Sequence, residues 1–330
     1  MHSPSKPSGE SLRRGLREEP GWVKWTLILI AVSIVSVLIL IPVIHVFYSA
    51  IAPGVEDYWY EHGGDVATES GATGSASSDG NWFGALRQGF SAYYDNLFLD
   101  VKTRQSIVRT LIVAPSAVLL NIVFGIAAAW AVTRFRFPGR TVLISLIDLP
   151  FAISPVVAGL MLVLIFGAQG YFGEWLQEHN MQVLFGLPGL ILATTFVTLP
   201  FVARELIPVM EAIGSDEEVA AVSLGANGWQ VFWHITIPNI KWGLLYGVIL
   251  CNARAMGEFG AVYVVSANRA DTMPLRINQL FMESNDAGSF AVASVLTSLA
   301  LVSLLAKVIL ERKTRKQMAE AARMEIPAEV

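Results

Sequence analysis

Cysteine is nearly missing from this chain. The single thiol, Cys251, excludes an internal disulfide and any metal site built from cysteines. It lies in an apolar run, where a buried thiol is expected rather than a reactive one. Charge is scarce as well: 15% of the 330 residues are charged against 54% hydrophobic, which excludes an ordinary soluble domain and predicts an integral membrane protein. Lys+Arg number 23 and Asp+Glu 27, so the net charge of -4 supplies no basic field for nucleic acid. The histidines His2, His45, His62, His179 and His234 fall in five different segments. No His/Cys/carboxylate spacing emerges, which argues against an intramembrane enzyme, a function that needs a nucleophile–base pair or metal ligands at span depth. A Gly-x-x-x-x-Gly-Lys-Ser/Thr loop is also missing, so ATP hydrolysis by this chain is not expected.

What the chain does have is long apolar runs separated by polar ones. Residues 1–24 are polar and Pro/Ser-rich and are expected to be a disordered cytosolic tail. Six spans are expected, at 25–49, 107–132, 141–166, 187–203, 242–265 and 289–310, with a polar loop at 266–288 between the last two. The first is too long for a signal-peptide core and is predicted to be retained, with a kink at Pro42. Residues 50–106 form the longest connection, and within them 63–80 is almost all Gly, Ser, Ala, Thr and acid, a flexible insertion. Trp82, Phe83, Leu86 and Phe90 recur at helical spacing, for a short helix on the membrane surface or packed on the protein. The third span holds Asp148, Pro150, Ser154 and Pro155, which favours a bundle interior or a substrate path over a lipid-facing helix. Residues 107–311 therefore read as the core domain, with a polar loop at 204–241 and a tail at 312–330.

Positive charge sets the orientation. The N-terminal tail, the turn with Arg134, Arg136 and Arg140, and the tail with Arg312, Lys313, Arg315 and Lys316 are basic, whereas 167–186 carries Glu174 and Glu178 with no Lys or Arg. Both termini and the 204–241 loop are thus expected in the cytosol.

Inside that loop, Ser215 and Glu218 are spaced as a capping box, and Asp216, Glu217 and Glu218 put negative charge at a helix start. Gly225 suits the helix end. Val219, Ala220 and Ala221 between them form a small-residue face that a partner surface can approach closely. A helix that only caps itself is the competing reading. Trp229, Phe232 and Trp233 continue as an amphipathic stretch at the interface.

The fifth span is interrupted by Asn252, Arg254 and Glu258. Charges at span depth cost a few kcal/mol each on insertion scales, so they are expected to face the interior. Arg254 and Glu258 are four apart on one helix face, either as a structural ion pair or with Arg254 bordering the path of an anion.

The polar loop resembles the EAA motif of bacterial ABC-importer permeases. Ala220, Ala221, Gly225, Ile235 and Pro238 fall on motif positions, while Val219 replaces the glutamate and Ile237 the leucine. The resemblance implies that this loop is the coupling helix, seated in a cleft of an ATP-hydrolysing subunit, with Glu218, Val219, Ala220, Ala221, Leu224 and Gly225 as its docking residues. The runs NIKWGLLYG at 239–247 and NARAMGEFGAV at 252–262 are similar to the W-type sulfate/thiosulfate permeases, as are FPGR at 137–140, DLP at 148–150, SPVVAG at 154–159 and FVARELIP at 201–208. The match covers about 105–312 and fails over 51–90 and in both tails. It implies an all-α membrane permease of the type I importer fold in the inner membrane. It also implies a T-type permease partner, two ATP-binding subunits holding ATP and magnesium, and an extracytoplasmic sulfate-binding protein. No cofactor is expected on this chain. Asp148, Ser154, Asn252, Arg254 and Glu258 become candidates for the substrate path or gate. A molybdate or tungstate permease of the same fold is the nearest alternative, and a passive channel is a further class.

Overall fold

The computed structural model describes residues 21–62, 82–267 and 271–324, and every described element is helical. The tail up to residue 20 and the Gly/Ser-rich insertion at 63–80 lie outside the described residues. The chain divides into two units, Met1–Tyr48 and Ser49–Val330. In chain order the helices are α1 (Gly21–His62), α2 (Trp82–Tyr94), a π-helical turn (Asp95–Leu99), α3 (Val101–Arg134), α4 (Arg140–Ala152), α5 (Pro155–Phe166), α6 (Gly173–Glu178) and α7 (Leu187–Ile213). They continue with α8 (Asp216–Ser223), α9 (Gly228–Val231), a second π-helical turn (Phe232–Thr236), α10 (Ile237–Met256), α11 (Gly260–Val265), α12 (Met273–Met282) and α13 (Asp286–Met324).

Apolar runs become helices in lipid because a helix satisfies its own backbone polar groups. Among the described residues four helices are long and apolar enough to cross a membrane: the Trp25–Val55 part of α1, α3, α7, and the Asp286–Arg312 part of α13. A fifth is reached if α4 and α5, bent by 111° at 153–154, are taken as one broken span. Against the expectation of six spans, four or five are thus found among the described residues. Its third span is this bent pair, and its fifth is split into α10 and α11 by a break at 257–259. The twenty residues of α10 extend about 30 Å, long enough for a bilayer, but Lys241, Asn252 and Arg254 dilute its apolar character.

Other boundaries move too. The fourth span does not stop at 203, since α7 runs on through Arg204 and Glu205 to Ile213. The expected polar loop at 266–288 contains α12, whose Met273, Leu275, Arg276 and Leu280 are buried. The last helix continues through Met324, well past the expected start of a tail. Helix α1 is continuous through Pro42.

The centre of the Ser49–Val330 unit is the pairing of α3 with α7. Gly125 permits it: a Cβ there would lie 2.6 Å from Val202 Cγ1, so a side chain would push the two helices apart. Small residues at such crossings are how membrane helices gain contact without a hydrophobic drive between them. One core joins Val118 and Ala129 of α3 to Val202, Leu206 and Met210 of α7 and to Ile240 and Cys251 of α10. Another joins α5 and α11 to α7 through Ala158, Leu162, Ala193, Val197, Ala261 and Val262. Helix α2 packs on the protein at Gly89, where a Cβ would meet Ile51 Cγ2 at 2.7 Å, and it turns Phe83 and Phe90 outward. The segment is thus packed on the protein, the second of the two expected readings.

Candidate functional site

Helix α8 forms where the sequence placed it, but its first turn is held differently. Ser215 donates or accepts no capping hydrogen bond within the described residues. The expected capping box fails because Glu218 is engaged elsewhere. Its carboxylate takes two hydrogen bonds from Arg134 at the end of α3, Nε to Oε2 at 2.8 Å and Nη2 to Oε1 at 3.1 Å. The Thr236 hydroxyl donates to the same Oε1 at 2.9 Å. Arg134 also donates to the Met210 carbonyl of α7 at 3.2 Å. Beside it, the Asn239 amide of α10 donates to Glu217 Oε2 at 2.5 Å. Such planar, charge-assisted, bidentate pairs are among the stronger hydrogen bonds.

The C-terminal end behaves as the sequence predicts. Gly225 has φ +93°, its N–H bonds to Val222 O at 2.9 Å, and Ala226 N–H reaches back to Ala221 O at 3.0 Å, the Schellman arrangement. Within the described residues no side chain of α8 is buried. Val219, Val222 and Leu224 stand 60%, 58% and 90% exposed, an apolar face left open among the described residues. The capping box exists one element later, where Asn227 accepts from the Gln230 N–H and the Gln230 side chain accepts from the Asn227 N–H. The Asn-x-x-Gln spacing was the available signal. Phe232 stacks on Trp130 of α3, while Trp229 and Trp233 remain exposed.

The charged group of the fifth span sits at the break between α10 and α11. Arg254 Nη1 lies 2.7 Å from Glu258 Oε2, so the pairing expected from the sequence is present. It does not lie along one helix face, because α10 ends at Met256 and Glu258 belongs to the break. Glu258 Oε1 accepts from the Ala261 N–H at 3.1 Å and so holds the first turn of α11. Glu258 is buried, whereas the Arg254 side chain keeps 35% of its surface open. The second break is adjacent. A Cβ on Gly260 would meet Pro155 Cβ at 2.9 Å, and one on Gly159 would meet Ala261 O at 2.8 Å. Ser154, exposed at the start of α5, directly precedes the Pro155 that meets Gly260. Asn252 is half-buried and turns its amide toward Met256 Sδ at 3.9 Å. Asp148 makes its ion pair with Arg204 of α7 at 2.8 Å, and that guanidinium lies over Phe151.

Two further ion pairs were not anticipated. Arg276 of α12 is buried and donates to Asp100 Oδ2 at 2.6 Å, to Thr103 Oγ1 at 3.2 Å and to Gln279 Oε1 at 3.0 Å. Burial pushes the Asp100 carboxyl up, but hydrogen bonds from Thr103 and Arg276, the Lys102 N–H and the Arg276 charge outweigh it and hold the group below its ordinary 3.8. Asp100 also caps α3 by accepting from the N–H groups of Lys102 and Thr103. Arg109 of α3 pairs with Asp271. Among the described residues no three His, Cys, Asp or Glu side chains gather as a metal would require.

Residues 121–316 match the family model described as the binding-protein-dependent transport system inner membrane component. The chain is similar to the sulfate transport system permease protein CysW of Escherichia coli K12, 43% identical over 92% of this chain and 93% of that one. It is also similar to the sulfate transport system permease protein CysT of the same strain, 40% identical over 59% of this chain and 72% of the relative. The crystal structure of a bacterial alginate ABC transporter bound to its pentasaccharide-loaded periplasmic protein contains a chain of the same fold. It aligns with a TM-score of 0.59 at 16% identity, over 89% of this chain and 94% of that chain.

Proposed function

We propose that this chain, which belongs to the family of binding-protein-dependent transport system inner membrane components, is the permease subunit of an ATP-driven importer of sulfate or thiosulfate. The observation that carries the substrate class is the 43% identity, over nearly the whole of both chains, to a sulfate transport permease. In this reading the chain pairs with a T-type permease and receives sulfate from an extracytoplasmic binding protein. Two partner subunits hold ATP and magnesium and hydrolyse the nucleotide. Similarity to the CysT protein, lower and over less of the chain, supports a non-identical permease partner. The basic turn at Arg134, Arg136 and Arg140, set against a 167–186 loop with no Lys or Arg, supports cytosolic termini and a cytosolic α8.

The outward apolar face of α8, with Val219, Ala220, Val222 and Leu224, is the docking surface for the ATPase, and Gly225 keeps that helix short. The two adjacent helix breaks, with Ser154, Arg254 and Glu258, border the anion path. Support comes from the apolar residues exposed around them, Phe151, Val156, Val157, Leu160 and Phe259, a face suited to the second permease subunit with the path between the two.

Radiolabelled sulfate uptake by the assembled transporter in proteoliposomes, with molybdate as competitor, tests the substrate class. Absence of sulfate uptake, or uptake that molybdate suppresses at far lower concentration than unlabelled sulfate does, would refute it. Within that assay Arg254→Ala is expected to cut uptake about tenfold, the effect of losing one charge-assisted contact to an anion. Equal loss in Arg254→Ala with Glu258→Ala supports a direct role for Arg254, whereas recovery in the double variant reduces the arginine to a partner of Glu258.

A further inference from the structure

The sequence motif suggests that an acidic residue at the start of the coupling helix reaches outward to the ATPase. The structure turns that side chain the other way. We infer that Glu218 is the inward anchor of α8 and that, with Arg134 and Thr236, it forms the joint through which displacement of this helix is passed to the membrane spans. The inference rests on the importer reading above and assigns roles to residues within it.

Four observations converge. First, Glu218 and Arg134 keep only 16% and 12% of their side-chain surface, in a helix whose other face is open. A carboxylate so enclosed, taking three hydrogen bonds, has little left to offer a partner. Second, the position where the family motif has its glutamate is Val219, which does face outward. The two jobs of the first turn are therefore divided between neighbours, an acid that holds and an apolar residue that docks. Third, the joint reaches several spans. Arg134 terminates α3 and also bonds the Met210 carbonyl near the end of α7, while Glu217 is tied to Asn239 at the start of α10. Fourth, among the described residues the other side-chain bond from α8 to a span, Glu217 with Asn239, belongs to the same joint. Within the described residues none of the α8 side chains is buried, so apolar packing does not fasten the helix. A rod that is held by directed bonds at one end and free on its outer face moves its attachment points when it is pushed. Arg134 and Thr236 are positioning residues here.

The test uses the full chain assembled with its permease partner and ATPase. It reads three quantities: sulfate uptake, ATP hydrolysed per sulfate, and recovery of the ATPase on tagged permease. Arg134→Glu and Glu218→Arg are each expected to lower uptake about tenfold or more, since each leaves two like charges facing one another in a half-buried joint. ATP hydrolysed per sulfate should rise while the ATPase is still recovered, because the docking face is untouched. The double reversal is expected to restore uptake to within about threefold of the parent, as coupled positions do. Thr236→Val, which keeps shape and removes one bond to Glu218, guards against variants that fail to insert. It should lower uptake about twofold with a matching rise in ATP per sulfate. Unchanged uptake in the single reversals overturns the inference. So does loss of ATPase recovery in Glu218→Arg alone, which would make Glu218 a docking group. So does an unchanged ATP-to-sulfate ratio in Thr236→Val. If the parent chain itself retains no ATPase, the importer reading fails and the inference falls with it, a result distinct from the others.

Discussion

The two ends of α3 are fastened by the same chemistry and to different effect. At its start, Asp100 receives Arg276 from α12; at its end, Arg134 receives Glu218 from α8. Both are enclosed arginine–carboxylate pairs between segments distant in sequence. Behind Arg276, however, Met273, Leu280, Ala291, Val292 and Leu97 form a continuous apolar core. Behind Glu218 the helix has no buried residue among those described. An ion pair locks a structure when packing holds both of its sides, and serves as a joint when only one side is held. The first pair is therefore read as a static clamp and the second as a moving one.

The largest effect is expected from breaking the clamp. Arg276→Ala leaves the Asp100 carboxylate and the Thr103 hydroxyl without their buried partner and should cost about 3 kcal/mol, the scale for removing one side of a buried pair. Thermal unfolding in detergent would register it as a lower midpoint. Arg134→Ala, by contrast, should change that midpoint little while impairing uptake. Equal losses of stability in both variants would erase the contrast.

A smaller effect is expected from Gly225→Val. No described atom lies within 4 Å of a Cβ added there, so the whole penalty is the left-handed backbone at φ +93°. That conformation costs a β-branched residue about 1–2 kcal/mol. The expected outcome is weaker ATPase retention with an unaltered melting profile for the spans, because α8 contributes no core.

The smallest effect is the pH dependence of the clamp. Asp100 has a folded value below its ordinary 3.8, so its contribution to stability is fully present above that value. It is lost as pH falls from 3.8 through the lowered folded value. The unfolding midpoint of the parent should therefore drop over that acidic window more steeply than that of Asp100→Asn, which has no proton to bind. Parallel curves for the two would remove Asp100 from the account.

Much of this was legible in the sequence because it is carried by local pattern. The apolar runs of α3, α7 and α13 announce themselves by hydropathy, and Gly225 by its place after a short polar helix. The Arg254–Glu258 pair, one of two readings offered by their spacing, is present, though at a break and not along one helix face. The misreadings share a cause. Ser215 was matched with Glu218 because they are neighbours, while the guanidinium that holds Glu218 comes from 84 residues away. Residues 266–288 read as a loop because α12 is amphipathic and short, and its apolar side gains meaning only against α13. The breaks at 153–154 and 257–259 were smoothed into continuous spans, since a hydropathy average does not register the direction of a helix axis.

Composition and pattern alone were enough to indicate a helical membrane protein with a short polar helix between two apolar spans, because apolar length and turn chemistry are properties of consecutive residues. Which way the Glu218 carboxylate points, and that Glu258 lies in a break whose Gly260 packs on Pro155, came only from tertiary packing. A side chain's direction is set by the groups that enclose it, and those groups arrive from other helices.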